Sequence, residues 1–305
     1  MYELPDGNQA RCGMSGPGTS DHAIVFLNAS FFSFRQWDLL AARVAKRANQ
    51  LGIDPVDMLF MNYRGFDGVQ ALDGPMAFDQ LVSDALEIIA ASGLGGELHL
   101  VGASLGSIVG QTLLGSHNLQ ARSLVTYGHI IPSTPLIAHV QEIFSKFKSI
   151  LDEEDYFTEH TGDLLRPEII GPVSRAMWEV FVMDYSKTPE KVKAKGEPPG
   201  YEQFLLKYIG NTAVATLGAF LGMVLNDLHG SPSKTPNEFS HDDKRVVAFQ
   251  GEDDLIAPLS FLNDPDSASD SFEIVPVPGR GHTDFIIDEA ICDAMAVRLL
   301  CRDDI

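Results

Sequence analysis

The feature that most restricts this chain is a rhythm. Short apolar runs alternate with longer stretches whose apolar positions recur every three or four residues. Ala23-Ile-Val-Phe-Leu27, Met58-Leu-Phe-Met61, Leu98-His-Leu-Val101 and Ser123-Leu-Val-Thr-Tyr127 read as strands. Between them Asp38–Leu51, Ala77–Ala91 and Leu105–Leu114 carry helical spacing; in the second, Phe78, Leu81, Val82, Ala85, Leu86 and Ile89 share a stripe. Buried strands joined by crossover helices belong in a mostly parallel sheet flanked by helices. From about Ile131 to Ser240 the pattern turns helical and is punctuated by prolines. Strand rhythm then returns at Arg245–Phe249 and Phe272–Val277, followed by a closing helix over roughly Ile287–Leu300. The expected architecture is an α/β core made from residues 1–130 and 241–305, with residues 131–240 inserted between two strands as a helical cap or lid.

Composition narrows the partners. A chain of 305 residues is one large domain or one domain with an insertion. Its 45% hydrophobic and 21% charged residues exclude a disordered chain. With 42 Asp+Glu against 22 Lys+Arg the formal net charge is −20, which argues against nucleic acid or an anionic membrane surface as partner. The densest basic stretch, Lys187 to Lys195, is diluted by Glu190 and reads as a solvated loop. The apolar-rich run Thr212–Leu225 falls short of the ~20 residues of a membrane span and contains Gly218 and Gly222. Cys12, Cys292 and Cys301 are widely spaced and form no CxxC, so neither a disulfide framework nor a zinc site is expected. Met1–Asp6 has no basic segment leading into an apolar core, so no secretory leader is expected and the protein reads as cytoplasmic.

Gly102-Ala-Ser104-Leu-Gly106 carries the chemistry. The bare G-x-S-x-G pattern is weak, and its other reading is an ordinary Gly-Ser turn on a βα connection. Its context is more specific: it directly follows the strand ending at Val101 and opens a helix at Leu105, as a nucleophile elbow requires. A residue on so tight a turn is strained and tolerates only small neighbours two positions away. The same turn places the Ser104 hydroxyl at the positive end of a helix. Downstream, a buried strand ends in Gly251-Glu-Asp-Asp254, and Gly279-Arg-Gly281-His282 forms a histidine loop after the last strand. The order Ser104, Asp254, His282 is that of the third common serine-triad arrangement. All three positions lie at carboxyl ends of strands expected to be parallel, the edge where open α/β sheets bind ligands.

At these residues the chain resembles the α/β-hydrolase superfamily, and the likeness covers nearly all of it apart from the insertion. Asn62-Tyr-Arg64-Gly65-Phe66 is similar to the superfamily's Asp-x-Arg-Gly-Phe-Gly stretch, with Asp67 interrupting the final turn. Leu27-Asn28-Ala29-Ser30 with Trp37 stands where the superfamily has its oxyanion loop, Asn28-Ala29 replacing His-Gly. The resemblance implies an acyl-enzyme mechanism. His282 takes the proton of Ser104, Asp254 fixes the imidazole, and backbone N–H groups of Leu105 and of Ser30 (or Ala29) hold the oxyanion. Asp253 is the rival acid, and Asp284 a more distant one. A serine at position 104 argues against haloalkane dehalogenases and epoxide hydrolases, which use a carboxylate there. Attack on an acyl carbon remains: esters, thioesters, lactones or a ketonic C–C bond.

Phe31 and Phe32 beside the oxyanion loop, with Leu217 and Phe220 in the insertion, suggest an apolar acyl pocket; the same helical stripes also fit docking on the core or a homodimer interface. His129 either faces that pocket or serves a structural role. His99 alternates with leucines on a strand and reads as a core histidine. His22, His117, His139, His160, His229 and His241 show no ligand spacing, so no metal or cofactor is expected. The expected function is hydrolysis of esters, thioesters or lactones of a small, apolar acyl substrate. The alternatives are acyl transfer from acyl-carrier or coenzyme A thioesters on the same residues, or a non-catalytic small-ligand receptor.

Overall fold

A computed structural model of the chain describes all residues except 54, 69–70, 73, 117–118, 132, 181–199, 229–243, 263–270 and 301–305. The basic stretch Lys187–Lys195, Cys301, His117, His229 and His241 therefore lie outside the described residues. The free thiols among the described residues are Cys12 and Cys292.

The chain starts with a small hairpin, β1 (Tyr2–Glu3) and β2 (Gln9–Ala10), then enters a seven-stranded sheet. Its strands are β3 (Cys12–Ser15), β4 (His22–Leu27), β5 (Asp57–Met61), β6 (Glu97–Ala103), β7 (Ala121–Tyr127), β8 (Arg245–Gly251) and β9 (Phe272–Val277). The spatial order is β3-β5-β4-β6-β7-β8-β9, with β3 antiparallel to β5 and every other pairing parallel. The apolar runs correspond to β4 through β9. β1 to β3 have no counterpart among them, because Gly13 and the exposed Met14 and Ser15 give this edge strand no buried face to announce it.

Alternation along β4 divides the core. Ala23, Val25 and Leu27 pack on one side of the sheet with α2 (Phe78–Ser92) and α3 (Leu105–Leu114). Ile24 and Phe26 pack on the other with α1 (Asp38–Leu51), through Leu40 and Val44. Between β7 and β8 the described residues form helices α4 (Thr134–Glu153), α5 (Tyr156–Glu159), α6 (Gly171–Trp178), α7 (Tyr201–Ile209) and α8 (Val214–Asn226). After β8 come the short α9 (Leu259–Leu262) and the closing α10 (Glu289–Leu300), which packs beside α1. None of the described helices is long and apolar enough to cross a membrane.

The apolar stripes of α7 and α8 are buried within the chain itself: Leu205, Ile209, Val214, Leu217, Phe220, Leu221 and Val224 all belong to the core. Backbone bonds fasten this helical segment. Ser33 N–H donates to Tyr208 O at 2.5 Å and Gly68 N–H to Asn211 O at 2.8 Å. Asp67, which interrupts the expected turn, has a structural part in this docking. Its N–H donates to Thr212 Oγ1 at 3.1 Å, and its carboxylate accepts from Arg11 Nη1 at 3.2 Å. Arg64 is buried between two carboxylates, donating to Asp84 through Nε (2.6 Å) and Nη2 (2.5 Å) and to Asp6 through Nη1 (2.5 Å).

The strand order decides where a ligand can enter. From β4 the chain crosses to β5 on one side, then back over to β6 on the other. The loops leaving β4 and β6 thus diverge from adjacent strands and open a crevice at their carboxyl ends.

Candidate active site

Ser104 occupies the turn between β6 and α3 with φ 51° and ψ −117°, a region that L-residues rarely adopt. The neighbours at ±2 show why only glycine fits: a β-carbon on Gly102 would collide with the carbonyl of Gly106, and one on Gly106 with the carbonyl of Leu27. The turn is tied to the sheet. Ser104 N–H donates to Tyr127 O at 3.1 Å; Ser107 Oγ donates to Ser104 O at 2.6 Å and accepts from Ile130 N–H at 2.9 Å.

Asp254 follows β8 and is essentially inaccessible. Its Oδ1 accepts from the N–H groups of Ile256 and Ala257, each at 2.9 Å. Its Oδ2 lies 2.8 Å from His282 Nδ1 and also accepts from Gln250 Nε2 at 2.6 Å. These four contacts fix the orientation of the carboxylate. The His282 loop is set by Tyr127, whose hydroxyl donates to Gly281 O at 2.9 Å. Asp284 accepts from Gly281 N–H at 2.9 Å instead of meeting the imidazole. Asp253, one residue before Asp254, lines the cavity described next.

Nε2 of His282 is buried and has no hydrogen-bond partner among the described residues. Ser104 and His282 line one cavity of about 360 Å³, and the hydrogen bond between them is not formed in this conformation. Such bonds are often long before substrate arrives. The cavity also takes in Ala29, Ser30, Phe31 and Phe32. The turn Ala29–Phe32 closes with Phe32 N–H donating to Ala29 O at 3.3 Å, and Phe31 sits in it at φ 69°, a second strained residue beside the serine. Ala29 N–H is occupied, donating to Gln36 Oε1 at 3.3 Å. The N–H groups of Ser30 and Leu105 donate to no acceptor among the described residues. Of the two loop residues, Ser30 is thus the one whose N–H is not engaged.

Asn28 is fully buried, donates Nδ2 to Asn62 Oδ1 at 3.1 Å, and accepts from Trp37 Nε1 at 2.9 Å. Tyr63 Oη donates to its carbonyl at 2.9 Å. The loop is thereby fixed to the residues that follow β5 and to Trp37, just before α1.

Phe31 and Phe32 line the cavity; three other expected pocket residues do not. Phe220 packs one layer behind, its ring 5.1 Å from Phe31 and 5.6 Å from Phe66. Leu217 is buried on α8 in the same core. His129 lies away from the cavity, wholly buried, with Nδ1 2.8 Å from Thr126 Oγ1 and its ring against Phe272. Burial pushes it down to about 3, so it is neutral. His99 is a half-paired strand histidine, Nδ1 2.8 Å from Ser123 Oγ, pushed down to about 4 by burial, with His22 and Arg122 adding to it. The residues that replace the missing wall are Phe144, Met177, Tyr201, Phe204, Leu205 and Ile256. Phe204 and Leu205 belonged to a legible apolar stripe. Phe144 and Met177 carried no signal beyond helical spacing.

No protein-family model matches the sequence, and no curated protein is similar to it. Solved structures are. An α/β-hydrolase fold protein from Chitinophaga pinensis is 14% identical with a TM-score of 0.68, covering 99% of this chain and 97% of its own. An esterase from Exiguobacterium antarcticum is 14% identical with a TM-score of 0.65, covering 97% of both chains. An enol-lactonase from Burkholderia xenovorans LB400 is 15% identical with a TM-score of 0.59, covering 97% and 98%. At these identities the likeness is one of fold.

Proposed function

We propose that this chain, which has the α/β-hydrolase fold, hydrolyses carboxylic esters through an acyl-enzyme on Ser104. The observation that carries the reading is the Asp254–His282 pair, whose outer nitrogen is unpartnered and buried at the cavity that also holds the strained serine. Ser104 Oγ attacks the acyl carbon as its proton passes to His282 Nε2, and Asp254 stabilises the imidazolium. Leu105 and Ser30 N–H hold the oxyanion; one such donor is worth about 3–4 kcal/mol in a dry site. Collapse expels the alcohol, which takes the proton from the imidazolium. Water then gives its proton to Nε2 and attacks the acyl-enzyme, and collapse frees the acid as Ser104 Oγ takes that proton back from the imidazolium.

The cavity wall supports an apolar substrate, and residues 131–240 are proposed as the cap that supplies Phe144, Met177, Phe204 and Leu205 to it. Among the described residues, the charged side chains of that wall are carboxylates, Asp253 and Asp284. With a net charge of −20, they disfavour the anionic thioesters of coenzyme A and acyl carriers. Hydrolysis of neutral esters or lactones is therefore favoured over acyl transfer from such carriers, and the small molecule is the only partner the reading needs.

A fluorophosphonate probe is expected to label Ser104, and Ser104→Ala to abolish turnover across a chain-length series of p-nitrophenyl esters and lactones. Undiminished turnover by Ser104→Ala overturns the reading. So does a folded wild type that binds such esters but neither turns them over nor reacts with the probe, the outcome expected of a receptor.

A further inference from the structure

We propose that His22, Glu97 and His99 form a binding site for one divalent metal ion of the zinc class, at the end of the sheet opposite Ser104. Nothing in the spacing of these residues along the chain suggests a ligand set, and the parallel pairing of β4 with β6 creates it. His22 opens β4 and stands in register with Glu97, which opens β6; His99 pairs with Ile24. Residues two apart on a strand share a face, so Glu97 and His99 project together, and His22 joins them from the neighbouring strand.

One ligand atom from each of the three side chains lies within 4.8 Å of the other two. His22 Nδ1 and Glu97 Oε2 are 3.8 Å apart, and the two imidazole rings stack with centroids 6.3 Å apart. Bonds of ~2.0–2.2 Å in a tetrahedral site separate ligand atoms by roughly 3.4 Å, so small rotations of two partly exposed side chains close the set. Two nitrogens and one carboxylate oxygen are the donors that borderline ions such as Zn²⁺ prefer, with the fourth position left for water. His99 is the buried member, and Ser123 Oγ at its Nδ1 is the partner a metal-bound imidazole uses to fix tautomer and ring angle. A cavity of about 260 Å³, lined by both histidines with Ile24, Ile53, Val56 and Leu299, gives the ion room to enter.

The same two strands run from this cluster to the candidate active site. β4 ends at the Asn28–Ser30 loop and β6 at Ser104, about 20 Å away at ~3.3 Å per residue. The ion would pin the start of both strands without touching the chemistry at their far end.

The test uses the full chain stripped with EDTA and titrated with ZnCl₂ by calorimetry, alongside thermal unfolding with and without Zn²⁺. One ion per chain at micromolar affinity is expected, with a rise of several degrees in Tm. His22→Asn, Glu97→Gln and their double variant replace partly exposed side chains, avoiding the buried His99. The double variant is expected to lose at least 100-fold in affinity and the whole Tm rise, while fluorophosphonate labelling of Ser104 is unchanged. Absence of saturable binding in the wild type overturns the proposal. Binding that survives the double substitution does so too, because it places the ion elsewhere. Neither result bears on the ester hydrolysis proposed above.

Discussion

Gln250 donates its side-chain amide to Oδ2 of Asp254 at 2.6 Å, the oxygen that also faces His282 Nδ1. The amide reaches Ala257 O at 2.5 Å as well, and its Oε1 accepts from His129 N–H at 2.8 Å. One fully buried side chain thus joins the end of β7, the acid and the turn after it. Gln250→Leu keeps the volume and leaves these groups unpaired, at about 1–3 kcal/mol for each buried group left without a partner. In the folded variant, kcat for p-nitrophenyl esters is expected to fall about tenfold with KM little changed. A wild-type kcat would show that the backbone bonds to Asp254 suffice to aim it.

Gly128 makes room for the imidazole. It has φ +60°, and a β-carbon there would lie 2.8 Å from His282 Cε1 and 2.9 Å from Nδ1. Gly128→Ala must therefore displace the ring. We expect a loss of about 100-fold in kcat, with the far-ultraviolet circular dichroism of the wild type retained. Full activity in that variant would mean the ring works from another position.

Asn28 carries the loop of Ser30, the proposed oxyanion donor, through Asn62 and Trp37. Asn28→Ala frees the loop from both and slackens the Ser30 N–H. The cost is expected in kcat, about tenfold, because oxyanion donors act only on the developing charge. A pure KM effect, read from initial rates, would assign the loop to substrate binding instead.

His129 makes stability depend on pH. Burial pushes it from 6.5 to about 3, so the fold holds the neutral ring whereas the unfolded chain binds a proton below pH 6.5. The folded value is the lower one, so this contribution is complete above about pH 6.5 and is lost as pH falls from there toward 3. Linkage puts the loss at about 2 kcal/mol by pH 5. Urea unfolding at pH 7 and pH 5 is expected to show His129→Leu less acid-sensitive than wild type by that amount. Equal pH dependence in the two proteins would contradict it.

Arg64 and Asp84 form a buried bidentate pair. Asp84→Ala strands the guanidinium and is expected to cost about 3–5 kcal/mol, whereas the double variant Arg64→Met with Asp84→Leu recovers most of it. Urea midpoints of the three proteins decide this, and a mild effect of Asp84→Ala alone would show that Asp6 suffices to neutralise Arg64.

What the sequence determined by itself was local and periodic. Apolar runs such as Ala23–Leu27 and stripes such as Phe78–Ile89 declare which face is buried, so β4 to β9, α1 to α3 and the parallel α/β class were legible, as was the strained turn that glycines at 102 and 106 permit. Periodicity reports that a face is covered but not by what. Only the tertiary structure decided that Phe220 backs Phe31 instead of lining the cavity, that Asn28 meets Asn62 and Trp37, and that Gln250 bridges His129 to Asp254. It also brought His22 beside His99, which no spacing along the chain could reveal. The physical reason is strand order: pairing β4 with β6 across an intervening excursion to β5 joins residues whose separation along the chain carries no information about their distance in space.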